Sequence, residues 1–94
     1  MGNHEDFFRS LGREEVHLVA LKEYLYEGSW KEIEKDLVAR KEGRPHVYRL
    51  ETRIDEDLER VRKLLDYETK YSVNLGDYLH LVEGLGGFSS LEGN

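Results

Sequence analysis

Apolar residues recur at helical spacing through most of the chain, and glycines separate the pattern into segments. The first predicted helix covers 3–12, with Asn3 as its candidate N-cap and Gly12 as the residue that breaks it. The second covers 13–27 and stops at Gly28. Apolar side chains surround more than half of this second helix, which is typical of a helix at the centre of a core. These residues are Val16, Leu18, Val19, Leu21, Tyr24 and Leu25.

A capping signature opens the third predicted helix. Ser29 and Glu32 have the spacing of a capping box, in which each side chain accepts a hydrogen bond from the other residue's backbone N–H. Apolar residues follow at helical spacing from Trp30 to Leu37. Gly43 is the expected left-handed residue after the helix end.

The longest apolar pattern begins at Pro45, the only proline in the chain, which the first turn of a helix tolerates. Neither glycine nor proline interrupts 45–71. One apolar stripe at spacings of three and four is formed by Val47, Leu50, Ile54, Leu58, Val61 and Leu65. The stripe predicts one long amphipathic helix over 45–71. A short strand at 46–50 is the alternative, since Val47 and Tyr48 suit a strand.

Asn74 is placed to cap a last short helix, with Asp77 in its first turn and glycines from Gly84 onward at its end. Together the segments predict an all-α fold, a small helical bundle of about four to five helices. We expect a single domain over 1–87 and a flexible tail over 88–94.

The second half of the long predicted helix carries a further apolar patch, away from the first stripe. Leu64, Tyr67 and Tyr71 form it, and Tyr78 lies on the apolar face of the last predicted helix. A helix with two apolar faces must pack against two partners. The chain's own last helix and a second copy are both open as the cover for this patch. These four residues are therefore the predicted interaction residues.

Composition limits the size of the core and the choice of partner. The chain has 94 residues, of which 38% are hydrophobic, so one domain with a modest core is expected, and a second copy would add buried surface. The net charge of −6 disfavours nucleic acid. Residues 40–53, however, carry five basic and two acidic residues, a local charge of +3 that leaves −9 for the remainder.

This basic segment supports an alternative function, nucleic-acid binding. Trp30, Ile33 and Leu37 resemble the first helix of a helix-turn-helix, and the helix after Pro45 would be its recognition helix. Glu34 departs from the small residue expected at the helix crossing, and the connection before Val47 is longer than a tight turn. The candidate contacts to nucleic acid are Arg40, Lys41, Arg44, His46, Arg49 and Arg53.

No residue pattern indicates catalysis. Cysteine is absent, and the serines have no signature of a nucleophile. His17 and His80 follow an acidic residue by three positions, a spacing found in di-metal bundles, but the further carboxylate ligands are not evident. We expect no enzymatic activity, no cofactor and no metal site. Without a long apolar run we expect no membrane contact and a cytoplasmic location, and the scarcity of amide side chains suggests a thermophilic source.

The first functional hypothesis is therefore a small soluble protein-interaction module that forms a homodimer or binds another protein. The sequence leaves its pathway and partner open.

Overall fold

The computed structural model describes residues 4–48 and 53–83. Within these ranges the chain is all-α and contains no strand, which confirms the predicted fold class. The elements are α1 (His4–Arg9), α2 (Arg13–Leu25), α3 (Trp30–Lys41), α4 (Ile54–Tyr71), a 3₁₀ turn (Leu75–Tyr78) and α5 (His80–Glu83). No described helix combines the length and the apolar character needed to cross a membrane. The predicted tail over 88–94 lies outside the described residues.

α2 is the central helix. Five consecutive residues, from Leu18 to Lys22, are buried, so neighbours cover this stretch on every side. This agrees with the wide apolar arc expected from the sequence. The helix ends earlier than expected, at Leu25, and Tyr24 and Leu25 are 51% and 68% exposed. These two residues therefore contribute much less to the core than their apolar character indicated.

α3 begins and ends where its capping residues predict. The Ser29 hydroxyl accepts a hydrogen bond of 3.2 Å from the backbone N–H of Glu32. The Ser29 N–H donates to the carbonyl of Tyr26 instead of to the Glu32 side chain, so one half of the capping box forms. Gly43 has a φ of +74°, the left-handed conformation expected of it. Ile33 and Leu37 are fully buried where α3 packs along α4.

The long helix starts at Ile54, not at Pro45, and this corrects the sequence prediction. Residues 44–48 are neither helix nor strand. The Tyr48 hydroxyl, buried with its ring, donates a hydrogen bond of 3.0 Å to the buried Asp57 carboxylate. In a continuous helix nine residues would separate the two backbones by about 14 Å, so this contact requires the chain to turn back.

The first members of the predicted apolar stripe explain the error. Val47 is 63% exposed, and its backbone N–H lies 3.4 Å from a carboxylate oxygen of Asp36. Leu50 lies outside the described residues. Leu58 and Val61 are buried, so the stripe faces the core within α4 but not at Val47.

Lys22 is a fully buried lysine that joins three elements. Its ammonium donates hydrogen bonds of 2.7 Å to Glu68 on α4 and 2.6 Å to the Asn74 side chain. Glu23 lies 3.1 Å away, and the Trp30 ring centroid lies 5.1 Å from the ammonium. Glu68 and Asn74 also accept hydrogen bonds from the backbone of the 3₁₀ turn. The network therefore fixes the turn that follows α4 against α2.

Candidate interaction face

Three of the predicted interaction residues lie near one another at the surface, and the fourth, Leu64, is buried in the core; we call the four together the aromatic face: Leu64, Tyr67, Tyr71 and Tyr78. The rings of Tyr67 and Tyr71, one helical turn apart on α4, have centroids separated by 4.6 Å. Leu64 is fully buried beneath this surface. Tyr78 belongs to the 3₁₀ turn and is half-buried. Of the four residues, the tyrosines are therefore the ones that reach the surface.

α1 covers most of this face. The ring of Phe7 is parallel to that of Tyr67, with an interplanar angle of 5° and a centroid separation of 3.6 Å. A hydrogen bond of 2.8 Å joins His4 Nδ1 and the Tyr67 hydroxyl. Phe8 is 1% exposed, and its ring centroid is 6.0 Å from that of Tyr78. Two adjacent phenylalanines and one histidine thus hold a six-residue helix on the face.

One edge of the aromatic face remains open. Tyr71 is 46% exposed, although its ring contacts both His4 and Tyr67, at centroid separations of 5.5 Å and 4.6 Å. Lys70 Nζ lies 5.3 Å from the centroid of the Tyr71 ring. Burial raises the pKa of Tyr67, and the neighbouring Tyr71 and Tyr78 add to this effect. Tyr67 therefore stays a neutral hydrogen-bonding group at physiological pH.

The local sequence explains why α1 is separate from α2. Glu5 and Asp6 lie in its first turn and Arg9 in its last, an order that suits the helix dipole. Gly12 then adopts an extended conformation, with φ −75° and ψ 172°, and acts as the N-cap of α2. Its N–H donates a hydrogen bond of 2.8 Å to the Glu15 side chain. A three-residue connection is therefore enough to turn α1 onto the aromatic face.

The sequence predicted Leu64, Tyr67, Tyr71 and Tyr78 as interaction residues, which stays a prediction, and it did not indicate that α1 covers them. The covers considered were the last helix and a second copy, and Tyr78 does contribute from the predicted last helix. His4, Phe7 and Phe8 were missed as residues of this site. The available signal was the Phe7–Phe8 pair, because two adjacent aromatics on so short a helix need a surface on which to be buried.

The basic segment is arranged differently from a helix-turn-helix. The recognition helix expected after Pro45 does not begin there, and His46 and Arg53 lie outside any helix. His46 bonds to the backbone carbonyl of Arg44 through its ring, at 2.8 Å. The guanidinium of Arg40 lies 5.9 Å from the ring centroid of Tyr48. Arg49 lies outside the described residues.

Acidic neighbours pair with the remaining candidates of this segment. The separations are 2.6 Å for Lys41 and Asp55, 2.8 Å for Arg44 and Glu42, and 3.1 Å for Arg53 and Glu56. A nucleic-acid phosphate would have to compete with a carboxylate at each of these three cations.

The histidines with metal-ligand spacing are used in other ways. His80 Nδ1 lies 3.0 Å from the backbone carbonyl of Asp77. His17 Nε2 is buried without a hydrogen-bond partner among the described residues. Burial lowers the pKa of His17, Arg13 lowers it further, and Asp57 acts in the opposite direction. Across 4–48 and 53–83, no three His, Asp or Glu side chains converge in a way that could hold a metal ion.

Comparison with known proteins gives no relative from which to transfer a function. We found no matching protein family, no matching curated protein and no matching solved structure.

Proposed function

We propose that the chain is a non-catalytic protein-interaction module that binds short helical segments carrying two adjacent aromatic residues. Its binding surface is the aromatic face. The observation that supports this proposal is the way α1 lies there, with Phe7 parallel to Tyr67 and Phe8 buried beside Tyr78. This contact defines the chemistry of the ligand: two neighbouring aromatic rings and a hydrogen-bonding group one turn earlier, in the position of His4.

The length of α1 makes this binding reversible. A six-residue helix does not persist in water by itself, because the cost of nucleation exceeds the few hydrogen bonds that follow. α1 is therefore ordered by its contacts with the face. A segment that presents the same pair of rings and also covers the exposed edge of Tyr71 would bury more apolar surface than α1 does.

The charges around the face favour a protein ligand over nucleic acid. Lys70 is the cation beside the open edge at Tyr71, but the chain as a whole carries a net charge of −6, which repels nucleic acid. The partner segment comes from another protein or from a second copy of this chain.

A labelled peptide with the sequence of residues 4–12 tests the proposal. In the wild-type chain its own α1 competes with the peptide at an effective concentration on the order of millimolar. In the full-length Phe7→Ala variant this competitor loses its stacked ring. We expect fluorescence anisotropy to show saturable binding to the variant at least about tenfold tighter than to the wild-type chain.

Two matched controls identify the surface. A peptide that itself carries Phe7→Ala should lose binding, and so should the chain that carries both Phe7→Ala and Tyr67→Ala. Circular dichroism establishes that each chain is folded. Absence of saturable binding to the folded Phe7→Ala chain, or binding that Tyr67→Ala leaves unchanged, would overturn the proposal.

A further inference from the structure

We propose that α1 exchanges between two copies of the chain, so that α1 of each copy lies on the aromatic face of the other. This inference rests on the proposed function, since it requires the face to bind α1 supplied by a separate molecule. It names that molecule: a second copy of this chain, which contributes Phe7, Phe8 and His4 to the site.

The connection between α1 and α2 has the features of a hinge. Helical hydrogen bonding already continues past α1, because Ser10 N–H donates to the Asp6 carbonyl at 3.1 Å and Leu11 N–H donates to the Phe8 carbonyl at 3.1 Å. The Val16 N–H donates to the Gly12 carbonyl at the start of α2. The interruption is confined to the few residues that end at the extended Gly12.

Rotation of the backbone into the helical region at this point would join α1 and α2 into one helix over 4–25. In that helix Phe7 would lie about 8 Å beyond Gly12 along the axis, directed away from its own aromatic face. The vacated face would then bind α1 of a second copy, which is in the same extended state.

Exchange preserves the contacts of α1. His4 of α1 bonds to Tyr67, which is 63 positions away, Phe7 stacks on the same ring, and α1 also packs on the 3₁₀ turn. The same contacts form whether α1 comes from the same chain or from the partner, so the hinge and the protein concentration decide between the two forms. The closed monomer is favoured up to a concentration on the order of millimolar, which is the effective concentration of a short tether.

Two substitutions at Gly12 shift the balance between the open and closed hinge in opposite directions. Its φ is negative, and a Cβ there would meet Glu15 Oε1 at 3.6 Å, an ordinary contact, so Gly12→Ala is compatible with the closed form. Alanine favours the continuous helix over glycine by about fivefold per hinge, or about 25-fold for the two hinges of a dimer. Gly12→Pro removes the N–H that donates to Glu15, but it suits the observed φ of −75° and disfavours a helical Leu11, so it opposes the continuous helix.

Sedimentation equilibrium of the full-length chains from 10 µM to 1 mM measures the effect, these concentrations being chosen to bracket the roughly millimolar crossover. We expect the Gly12→Ala chain to dimerise about 25-fold more strongly than wild type, and the Gly12→Pro chain to remain monomeric. A folded Gly12→Ala chain that stays monomeric throughout, or equal dimerisation of both variants, would overturn the exchange.

Complementation shows whether the dimer is formed by exchange. One chain carries Gly12→Ala with Phe7→Ala, and the other carries Gly12→Ala with Tyr67→Ala. Each chain should be monomeric alone. Their mixture should form a heterodimer in which the intact α1 of the Tyr67→Ala chain lies on the intact aromatic face of the Phe7→Ala chain. Homodimers as strong as those of Gly12→Ala alone would contradict exchange.

The peptide experiment distinguishes the two proposals. If the peptide binds the Phe7→Ala chain while the Gly12→Ala chain remains a monomer, exchange is wrong and the proposed function stands. If the peptide does not bind and the Gly12→Ala chain is monomeric, both are wrong.

Discussion

At the residue scale, Lys22 is the most demanding side chain in the core. An ammonium that is 0% exposed loses its hydration, and this cost is offset only if all of its hydrogen bonds are made inside the protein. Glu68 and Asn74 accept hydrogen bonds from the ammonium, Glu23 forms an ion pair with it at 3.1 Å, and the Trp30 ring adds a cation–π contact. Loss of the Lys22 ammonium or of its carboxylate partner should therefore destabilise the protein.

Replacement of Lys22 by methionine should destabilise the protein strongly. Methionine has a similar length, but it leaves Glu68 and Glu23 close together without their cation. Loss of one partner of a buried ion pair costs about 3–5 kcal/mol. We expect a loss of this size in the free energy of unfolding, measured by urea denaturation.

Two further variants check the cause. The Lys22→Met, Glu68→Gln double variant should recover part of the loss, because glutamine can still accept the hydrogen bond from the Leu75 N–H that Glu68 accepts at 2.7 Å. The exposed Lys35→Met should have little effect. A Lys22→Met chain as stable as Lys35→Met would contradict the role of the network.

His17 makes stability depend on pH. Its pKa in the folded state lies below the usual 6.5, so the unfolded chain binds more protons as pH falls below that value. Stability should therefore decrease as pH is lowered from about 6.5, before the carboxylates titrate. Thermal unfolding between pH 5 and pH 7, the range just around this pKa, should show a smaller decrease for His17→Gln than for wild type. The exposed His80→Gln is the control, and identical curves for all three chains would refute the assignment.

At the element scale, the 3₁₀ turn after α4 is fixed by a close approach to α2. The Glu23 side chain occupies the position that a Cβ on residue 76 would take. Glu23 cannot move without leaving Lys22, to which it is paired at 3.1 Å. Glycine at this position therefore allows the turn to reach the buried network.

We expect Gly76→Ala to lower the free energy of unfolding by about 1–3 kcal/mol, the usual cost of an added group in a filled space. A double-mutant cycle with Glu23→Ala separates the causes. If the clash with Glu23 is responsible, alanine at position 76 should cost much less in the Glu23→Ala background. An equal cost in both backgrounds would instead indicate an effect on the turn itself.

Local signals in the sequence mark the ends of the helices. Ser29 and Gly43 mark the ends of α3 because capping depends on neighbouring residues. The start of α4 was misplaced because Val47 continues the helical spacing of the stripe although its side chain is exposed and lies outside the helix. Asp55, Glu56 and Asp57 form an acidic first turn and were the local signal for the true start.

The parts of the structure that could not be predicted depend on long-range contacts. Lys22 lies in an apolar segment, and nothing near it in the sequence indicates Glu68 and Asn74, which are 46 and 52 positions away. The spacing of Leu64, Tyr67 and Tyr71 was the local signal for the aromatic face, and Tyr78 came from the next predicted helix. The packing of α1 on that face requires the fold that brings His4 to Tyr67.

At the scale of the whole molecule, α1 is held less strongly than α2, α3 and α4 hold one another. α2, α3 and α4 share a continuous core and are joined by ion pairs, such as Lys63 with Glu15 and Arg62 with Glu34. α1 adds only Phe8 to that core, and the rest of this six-residue helix is held mainly by aromatic contacts with the aromatic face. We therefore expect α1 to leave the aromatic face while the remaining helices stay folded.

Amide hydrogen exchange at single-residue resolution tests this central claim most directly. The amides of α1 and of Ser10 and Leu11 should exchange through a local opening that costs about 1–3 kcal/mol. Those of Leu18 to Lys22 should require global unfolding, at about 5 kcal/mol or more. Phe7→Ala should accelerate exchange in α1 only. Equal protection of α1 and α2, lost together in the Phe7→Ala chain, would contradict a reversible binding face.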